Sequence, residues 1–177
     1  MADIRSDTKM AIQLEQEGYD IYVNAAAKTT NALARTTFLG IAEREKTHIE
    51  RIKRLYADLL GDTVNSKWID EVSGNIDKGA IIRPILVNLK DNLDRQGDQI
   101  KQDFSKIYDL ALTLEKNTYD LYKRLSEDPK NEEEIRKFYA ALAQEETLHF
   151  QIFQETLKYL NNPEDFYHLE ERWIIEG

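Results

Sequence analysis

Apolar residues recur along four stretches of the chain with the spacing that places them on one face of an α-helix. In the second stretch this face includes Phe38, Ile41 and Ile49, and the recurrence passes through positions 45 and 48, which hold Glu45 and His48. A buried carboxylate is costly unless it is paired or binds a metal. Because residues three apart project from the same side of a helix, the two side chains are predicted to reach one ion.

The fourth stretch repeats this arrangement. Leu142 and Phe153 belong to its apolar face, and Glu146 and His149 fill the gap between them. Two of the three histidines in the chain therefore have a glutamate three residues earlier and apolar residues around them.

The first and third stretches each carry one acid on the predicted buried face, Glu15 and Glu115. The segment from Ala11 to Tyr22 matches residues 111–122 at an offset of 100, and the Glu-x-x-His pairs of the second and fourth stretches match at an offset of 101. The chain is therefore interpreted as two related helical hairpins.

These patterns predict an all-α fold, a four-helix bundle forming a single domain over residues 1–177. Ser6 or Asp7 is the expected N-cap of the first helix and Asn131 that of the fourth, and Gly61 is expected to follow the second helix. The predicted helices cover about residues 7–28, 31–60, 103–127 and 131–160.

Residues 61–102 are too many for a tight turn between two helices and are interpreted as a crossover along the bundle. Short helical pieces are expected in this crossover near residues 64–72 and 84–93. Residues 161–177 are interpreted as a tail that packs on the bundle or on a neighbouring subunit.

Composition narrows the classes of function. The 33 acidic and 24 basic residues give a net charge of −9, which argues against nucleic acid or an anionic membrane as the partner. The absence of cysteine excludes disulfides, cysteine-bound zinc and iron–sulfur clusters. No apolar run approaches the ~18 residues of a membrane span, and the N-terminus lacks the apolar core of a signal peptide. We therefore expect a cytoplasmic protein.

The four acids are predicted to lie at one level of the bundle. Glu15 and Glu45 are each 15 residues from position 30, the first turn, and Glu115 and Glu146 are equally far from the second turn. At 1.5 Å per residue, each acid lies about 23 Å from its turn. One Glu from each of two helices and Glu-x-x-His from each of the other two form the ligand set of ferritin-like di-metal carboxylate proteins. Oxygen and imidazole ligands with open positions suit Fe²⁺, Fe³⁺ or Mn²⁺.

On these six residues, together with Tyr22 and Tyr122 seven positions after the first and third acids, the chain resembles the rubrerythrin family of the ferritin-like superfamily over about residues 11–160. The resemblance implies a ferritin-like bundle of two hairpins joined by a long crossover. It also implies a carboxylate-bridged centre of two iron ions, with manganese or zinc as alternatives in purified protein. The two tyrosines match family tyrosines that hydrogen-bond near the ligand carboxylates.

Carried over by position, the resemblance assigns a role to each predicted ligand. Glu45 and Glu146 would bridge the two metal ions. The first ion would also be held by Glu15 and His48, and the second by Glu115 and His149.

The resemblance further implies a di-iron oxidoreductase, a homodimer that reduces hydrogen peroxide or O₂ while oxidising Fe²⁺ in defence against oxidative stress. The chain departs from the family in two ways. It has no cysteine-ligated rubredoxin domain, so any electron donor would be a separate protein. Thr118 stands where rubrerythrins carry an extra glutamate, which makes the ligand set closer to the ferroxidase centre of bacterioferritin. An iron-handling protein without efficient turnover, a di-iron hydroxylase of an organic substrate and a metal-free helical bundle remain the alternatives.

Overall fold

A computed structural model describes residues 4–61 and 104–162 of the chain. Within these two ranges all regular secondary structure is helical. The four helices are α1 (Ile4–Lys28), α2 (Ala32–Leu60), α3 (Ser105–Glu127) and α4 (Glu133–Asn161).

The helices form two closely packed hairpins, α1 with α2 and α3 with α4. The hairpins meet through smaller contacts between α1 and α3 and between α2 and α4, which completes a four-helix bundle. The all-α four-helix prediction is therefore confirmed. None of the described helices is long and apolar enough to cross a membrane.

The core consists of two apolar clusters, one on each side of a polar layer. Phe38, Tyr108 and Phe153 belong to the first cluster, and Leu55 and Phe138 to the second. Along each helix the predicted acidic ligand falls between residues of one cluster and residues of the other. The apolar clusters therefore support the helices on both sides of the polar layer and exclude water from it.

The start of α1 corrects a prediction, because the helix begins at Ile4 and Asp7 lies inside its first turn. Ser6 and Asp7 therefore do not cap it. The Asp7 carboxylate is buried, and it accepts hydrogen bonds from Nη2 and Nη1 of Arg124 at 3.0 and 3.3 Å. Asp7 therefore connects the two hairpins through Arg124 and does not cap the start of α1.

The start of α4 corrects a second prediction. Its N-cap is Glu132, and the Asn131 side chain instead donates a hydrogen bond of 2.8 Å to the carbonyl of Leu125. In the other hairpin Asn31 does cap α2, accepting from the backbone N–H of Ala34 at 3.0 Å. The two equivalent asparagines therefore stabilise their turns in different ways.

The end of α2 agrees with the expectation, since Gly61 directly follows Leu60. The predicted crossover, with its short helical pieces, and all but the first two residues of the predicted tail lie outside the described residues.

Candidate metal centre

The six predicted ligands lie together in the polar layer at the middle of the bundle. Their exposed fractions are at most 3% although all of them are ionisable: Glu15 1%, Glu45 3%, His48 0%, Glu115 2%, Glu146 1% and His149 0%. Six such side chains removed from water need a compensating partner, because an unpaired buried charge is strongly unfavourable.

The internal repeat explains why the four helices place these six residues at the same level of the bundle. Along α1 and α3 the pattern of burial is identical from residue 11 to 20 and from residue 111 to 120. Glu15 and Glu115 occupy the same step of this pattern, one turn after a fully buried alanine. On α2 and α4 the glutamate and the histidine are three residues apart, so both face the bundle axis.

The ligand atoms form two overlapping groups, in each of which they lie within 4.8 Å of one another. Both groups contain Glu45 and Glu146. These two acids are therefore shared between the groups. The first group is completed by Glu15 and His48, and the second by Glu115 and His149.

Both imidazoles direct Nδ1 into the cluster. Nδ1 of His48 lies 3.0 Å from a Glu146 oxygen and 3.5 Å from Glu15 and Glu45 oxygens. Nδ1 of His149 lies 3.1 Å from Glu45 and 3.4 Å from Glu146. The two rings are nearly parallel, with centroids 5.4 Å apart.

These close approaches leave hydrogen-bonding capacity unused. Each of the six residues has a buried nitrogen or oxygen with no hydrogen-bond partner among the described residues. The atoms are Glu15 Oε2, Glu45 Oε1, His48 Nδ1, Glu115 Oε2, Glu146 Oε1 and His149 Nδ1. Buried polar atoms are nearly always satisfied, so six unsatisfied atoms around one point fit ligands of metal ions. The buried cluster could therefore bind metal.

Two tyrosines connect the hairpins at the level of the cluster. The hydroxyl of Tyr22 on α1 donates a hydrogen bond to Glu115 on α3, and that of Tyr122 on α3 donates to Glu15 on α1. Burial, followed by the nearby carboxylates, raises the pKa of both tyrosines well above the usual value, so they remain protonated donors. Each tyrosine therefore orients the acid of the opposite hairpin.

The unshared acids favour their protonated forms in the absence of metal. Burial, followed by the charges of Glu45 and Glu146, raises the pKa of both Glu15 and Glu115 well above the ordinary value of a glutamate. For the shared acids burial also acts to raise the pKa. However, contact with the Glu15 carboxyl and with the positively charged imidazoles holds the pKa of Glu45 below the usual value, and the imidazoles do the same for Glu146.

The imidazoles complete the charge balance. Burial by itself would lower the pKa of His48 and His149, but the surrounding carboxylates raise it well above the usual value of 6.5. The carboxylates therefore favour the imidazolium form of both histidines, whose positive charge offsets negative charge of the shared acids. Metal ions would displace these protons, because ligands bind metals in their deprotonated form.

Sequence reasoning missed Glu145 and Arg51. Glu145 is buried, lies 3.1 Å from Nε2 of His48 and accepts a hydrogen bond of 2.8 Å from Arg51. These contacts lower the pKa of Glu145 to about 2 although burial acts in the opposite direction. A signal was available, because Glu145 continues a second buried line of α4 that includes Ala141 and Ile152.

A small cavity adjoins the carboxylates on the side where α1 meets α3. Its volume is about 10 Å³, which is room for roughly one water molecule. Gly18 and Thr118 line it, and each stands one turn after the unshared acid of its own helix. The partly exposed Leu14 and Leu114 flank it, so the cavity lies near the surface groove between the two helices.

Comparison with known proteins adds no family assignment, since no protein-family model, no curated protein and no solved structure matches this chain. The chemistry of the cluster is therefore the basis for assigning a function.

Proposed function

We propose that this chain is a non-haem di-iron oxidoreductase that reduces hydrogen peroxide or O₂ and oxidises Fe²⁺, as its resemblance to rubrerythrins implies. The observation that carries the proposal is the pair of overlapping four-ligand groups sharing Glu45 and Glu146. Such sharing suits two ions held close together, and one ion would need only one of the groups. Manganese and zinc suit the same donors and are alternatives in purified protein.

Two bound ferrous ions would supply the two electrons that, with two protons, convert one hydrogen peroxide into two water molecules. The residues of the chain have supporting roles in this chemistry. Glu45 and Glu146 hold the shared positions, while Tyr22 and Tyr122 orient the unshared acids by hydrogen bonds across the hairpin interface. The apolar clusters on both sides exclude bulk water from the reacting site.

The cavity supports a small oxidant over an organic substrate. A hydroxylase needs an apolar pocket beside the metals, and ligand pockets typically have volumes of roughly 300–1,000 Å³. The cavity beside the carboxylates is about 10 Å³, room for roughly one water molecule and far too small for an organic substrate. The di-iron hydroxylase alternative is therefore less well supported.

The chain has no cysteine and so carries no cysteine-ligated iron of its own. As part of the same proposal, electrons would come from Fe²⁺ itself or from a separate donor protein. The protein is also proposed to be a homodimer. Sedimentation at micromolar concentration tests this assembly, and a monomer or a large shell would contradict it.

The central experiment measures the metal content and the optical spectrum of protein reconstituted anaerobically with Fe²⁺ and then exposed to hydrogen peroxide or air. The proposal expects two irons per chain, a ferric carboxylate absorption after oxidation, and repeated consumption of peroxide when a reductant is supplied. Only traces of bound metal would reject the di-iron centre. Two irons with a single oxidation and no turnover would favour the iron-handling alternative.

A further inference from the structure

The two histidines of the cluster differ in what their outer ring nitrogen contacts. Nε2 of His48 lies 3.1 Å from Oε2 of Glu145, and Oε1 of Glu145 accepts a hydrogen bond of 2.8 Å from Arg51. Nε2 of His149 is buried and has no hydrogen-bond partner in the part of the chain that the structure describes. Within residues 4–61 and 104–162, His48 is therefore the one imidazole of the two whose outer nitrogen has a partner.

This difference follows from two departures from the internal repeat. At the offset of 101, the position on α2 that matches Glu145 is Arg44, and the position on α4 that matches Arg51 is Ile152. Since Glu145 reaches from α4 to the histidine of α2, the equivalent support for His149 would come from position 44. Arginine has no hydrogen-bond acceptor in its side chain, so Arg44 cannot accept from an imidazole N–H.

The contact of the outer nitrogen affects metal binding by the inner one. Nδ1 of each histidine faces the carboxylates, so a metal ion would bind Nδ1 and leave the proton on Nε2. A carboxylate that accepts this proton fixes the ring and raises its basicity, and loss of such a partner typically costs about 10–100-fold in metal affinity. For His48 this partner is Glu145, which Arg51 orients in turn. Among the described residues, none gives His149 an equivalent partner.

We propose that the two metal positions are unequal, with the His48 group binding a divalent ion first and tightly and the His149 group binding the second ion weakly and exchanging it. Glu145 and Arg51 are positioning residues that act through His48 and do not touch the ion. The inference rests on the metal-binding role proposed above.

The test is a titration of the metal-free full chain with Co²⁺, whose visible absorption reports coordination and which air does not readily oxidise. The wild-type protein should show two binding steps, with dissociation constants separated by about 10-fold or more. Glu145→Leu should weaken the tighter step by about 10–100-fold and leave the weaker step unchanged. Arg44→Leu, at the equivalent position of the other hairpin, is the matched control and should change neither step.

A second readout separates positioning from general structural damage. With one equivalent of Co²⁺, the proton NMR spectrum should contain a strongly shifted imidazole N–H signal that exchanges slowly with solvent. This signal should be lost in Glu145→Leu and retained in Glu145→Gln, because the amide oxygen of glutamine accepts the same hydrogen bond.

Arg44→Glu combined with Ile152→Arg should give His149 the support that His48 has in the unaltered protein, and it should therefore tighten the weaker binding step.

Two equal constants, an equal loss at both steps in Glu145→Leu, or a loss of the same size in Arg44→Leu would overturn the inference while leaving two bound metals intact. A wild-type chain that binds no Co²⁺ would instead overturn both this inference and the proposed function. Selective loss of the tighter step and of the protected N–H signal would support it.

Discussion

The α1–α2 and α3–α4 hairpins have the same arrangement of buried positions around their ligands, yet they treat those ligands differently. Glu15 and Glu115 occupy the same step of an identical burial pattern. Behind the histidines the hairpins diverge, because α4 supplies Glu145 to His48 whereas α2 offers His149 no acceptor. The repeat therefore accounts for which atoms face the cluster, and the departures from it account for how firmly those atoms are held.

On the side of the cluster that adjoins the cavity, the two hairpins again have equivalent positions occupied by different residues. Gly18 on α1 and Thr118 on α3 are equivalent, and both are buried beside the cavity. The Thr118 hydroxyl bonds the Leu114 carbonyl of its own helix at 3.1 Å, so this threonine directs no donor toward the carboxylates. The two hairpins thus differ here in side-chain volume and not in charge.

The largest expected effect comes from the acids that both groups share. Glu45→Ala or Glu146→Ala should abolish binding of both ions, because each removes an oxygen ligand from both positions. Elemental analysis after reconstitution with Fe²⁺ is the measurement. Glu43→Ala is the matched control on α2, since this acid is 72% exposed and should leave two ions bound. If both shared-acid variants kept two irons, the assignment of bridging roles would be wrong.

A smaller and selective effect is expected for the unshared acids. Glu15→Gln should weaken the position that contains His48, and Glu115→Gln the position that contains His149, because each acid belongs to only one group. Co²⁺ titration of the two variants should therefore affect different binding steps, the tighter one for position 15 and the weaker one for position 115. Loss of the same step in both variants would show that the cluster does not divide between the hairpins in this way.

The pH dependence follows from the raised pKa values of the unshared acids Glu15 and Glu115 and of both imidazoles. The stability contributed by such protons is complete below the unfolded pKa of each group and is lost as pH rises toward the folded pKa. Between about pH 6 and about pH 8, metal-free protein should therefore become less stable. Metal ions displace the same protons, so metal affinity should rise over this window.

Thermal unfolding with and without Mn²⁺ across this pH window tests that expectation. The increase in midpoint temperature caused by the metal should grow as pH rises, because the metal-free state loses stability and the bound state gains affinity. An increase that stays constant with pH would contradict the proton displacement inferred for the cluster.

The smallest effect is expected at the cavity. Gly18→Ala should stabilise metal-free protein by about 0.5–1 kcal/mol, because glycine inside a helix is unfavourable relative to alanine. An added Cβ would lie 3.6 Å from Cε2 of Tyr22 and 3.9 Å from Cγ of Glu45, which are ordinary contact distances. Urea denaturation measures the gain. The methyl group should also occupy part of the cavity and slow peroxide consumption.

Thr118→Val is the matched control in the other hairpin. It keeps the side-chain volume and removes only a hydroxyl that is bonded within its own helix. We therefore expect peroxide consumption close to that of the unaltered protein. A slower rate in this variant than in Gly18→Ala would argue against the α1–α3 groove as the route to the carboxylates.

The sequence was sufficient to predict four helices and the burial of Glu45, His48, Glu146 and His149. The reason is that helical periodicity is a local property, so a polar residue at a stripe position is visible without any tertiary contact. Helix ends were less predictable. Asp7 resembled a cap but pairs with Arg124 of the other hairpin, a residue 117 positions away that no local pattern can indicate.

Counting residues from each turn also placed the four acids at one level, because the rise per residue of a helix is constant. That calculation does not determine how the hairpins are rotated about their axes. The partner of each tyrosine depends on this rotation, and the structure pairs Tyr22 with Glu115 and Tyr122 with Glu15 across the interface.

The sequence by itself thus determined the ligand types, their spacing and their shared level, all of which depend on the geometry of single helices. Only the tertiary structure decided that Glu145 and Arg51 support one histidine, and that a cavity of about 10 Å³ lies between α1 and α3. Both features arise where side chains of different hairpins meet. Such contacts depend on axial shift and interhelical distance, which the spacing of residues along one helix does not determine.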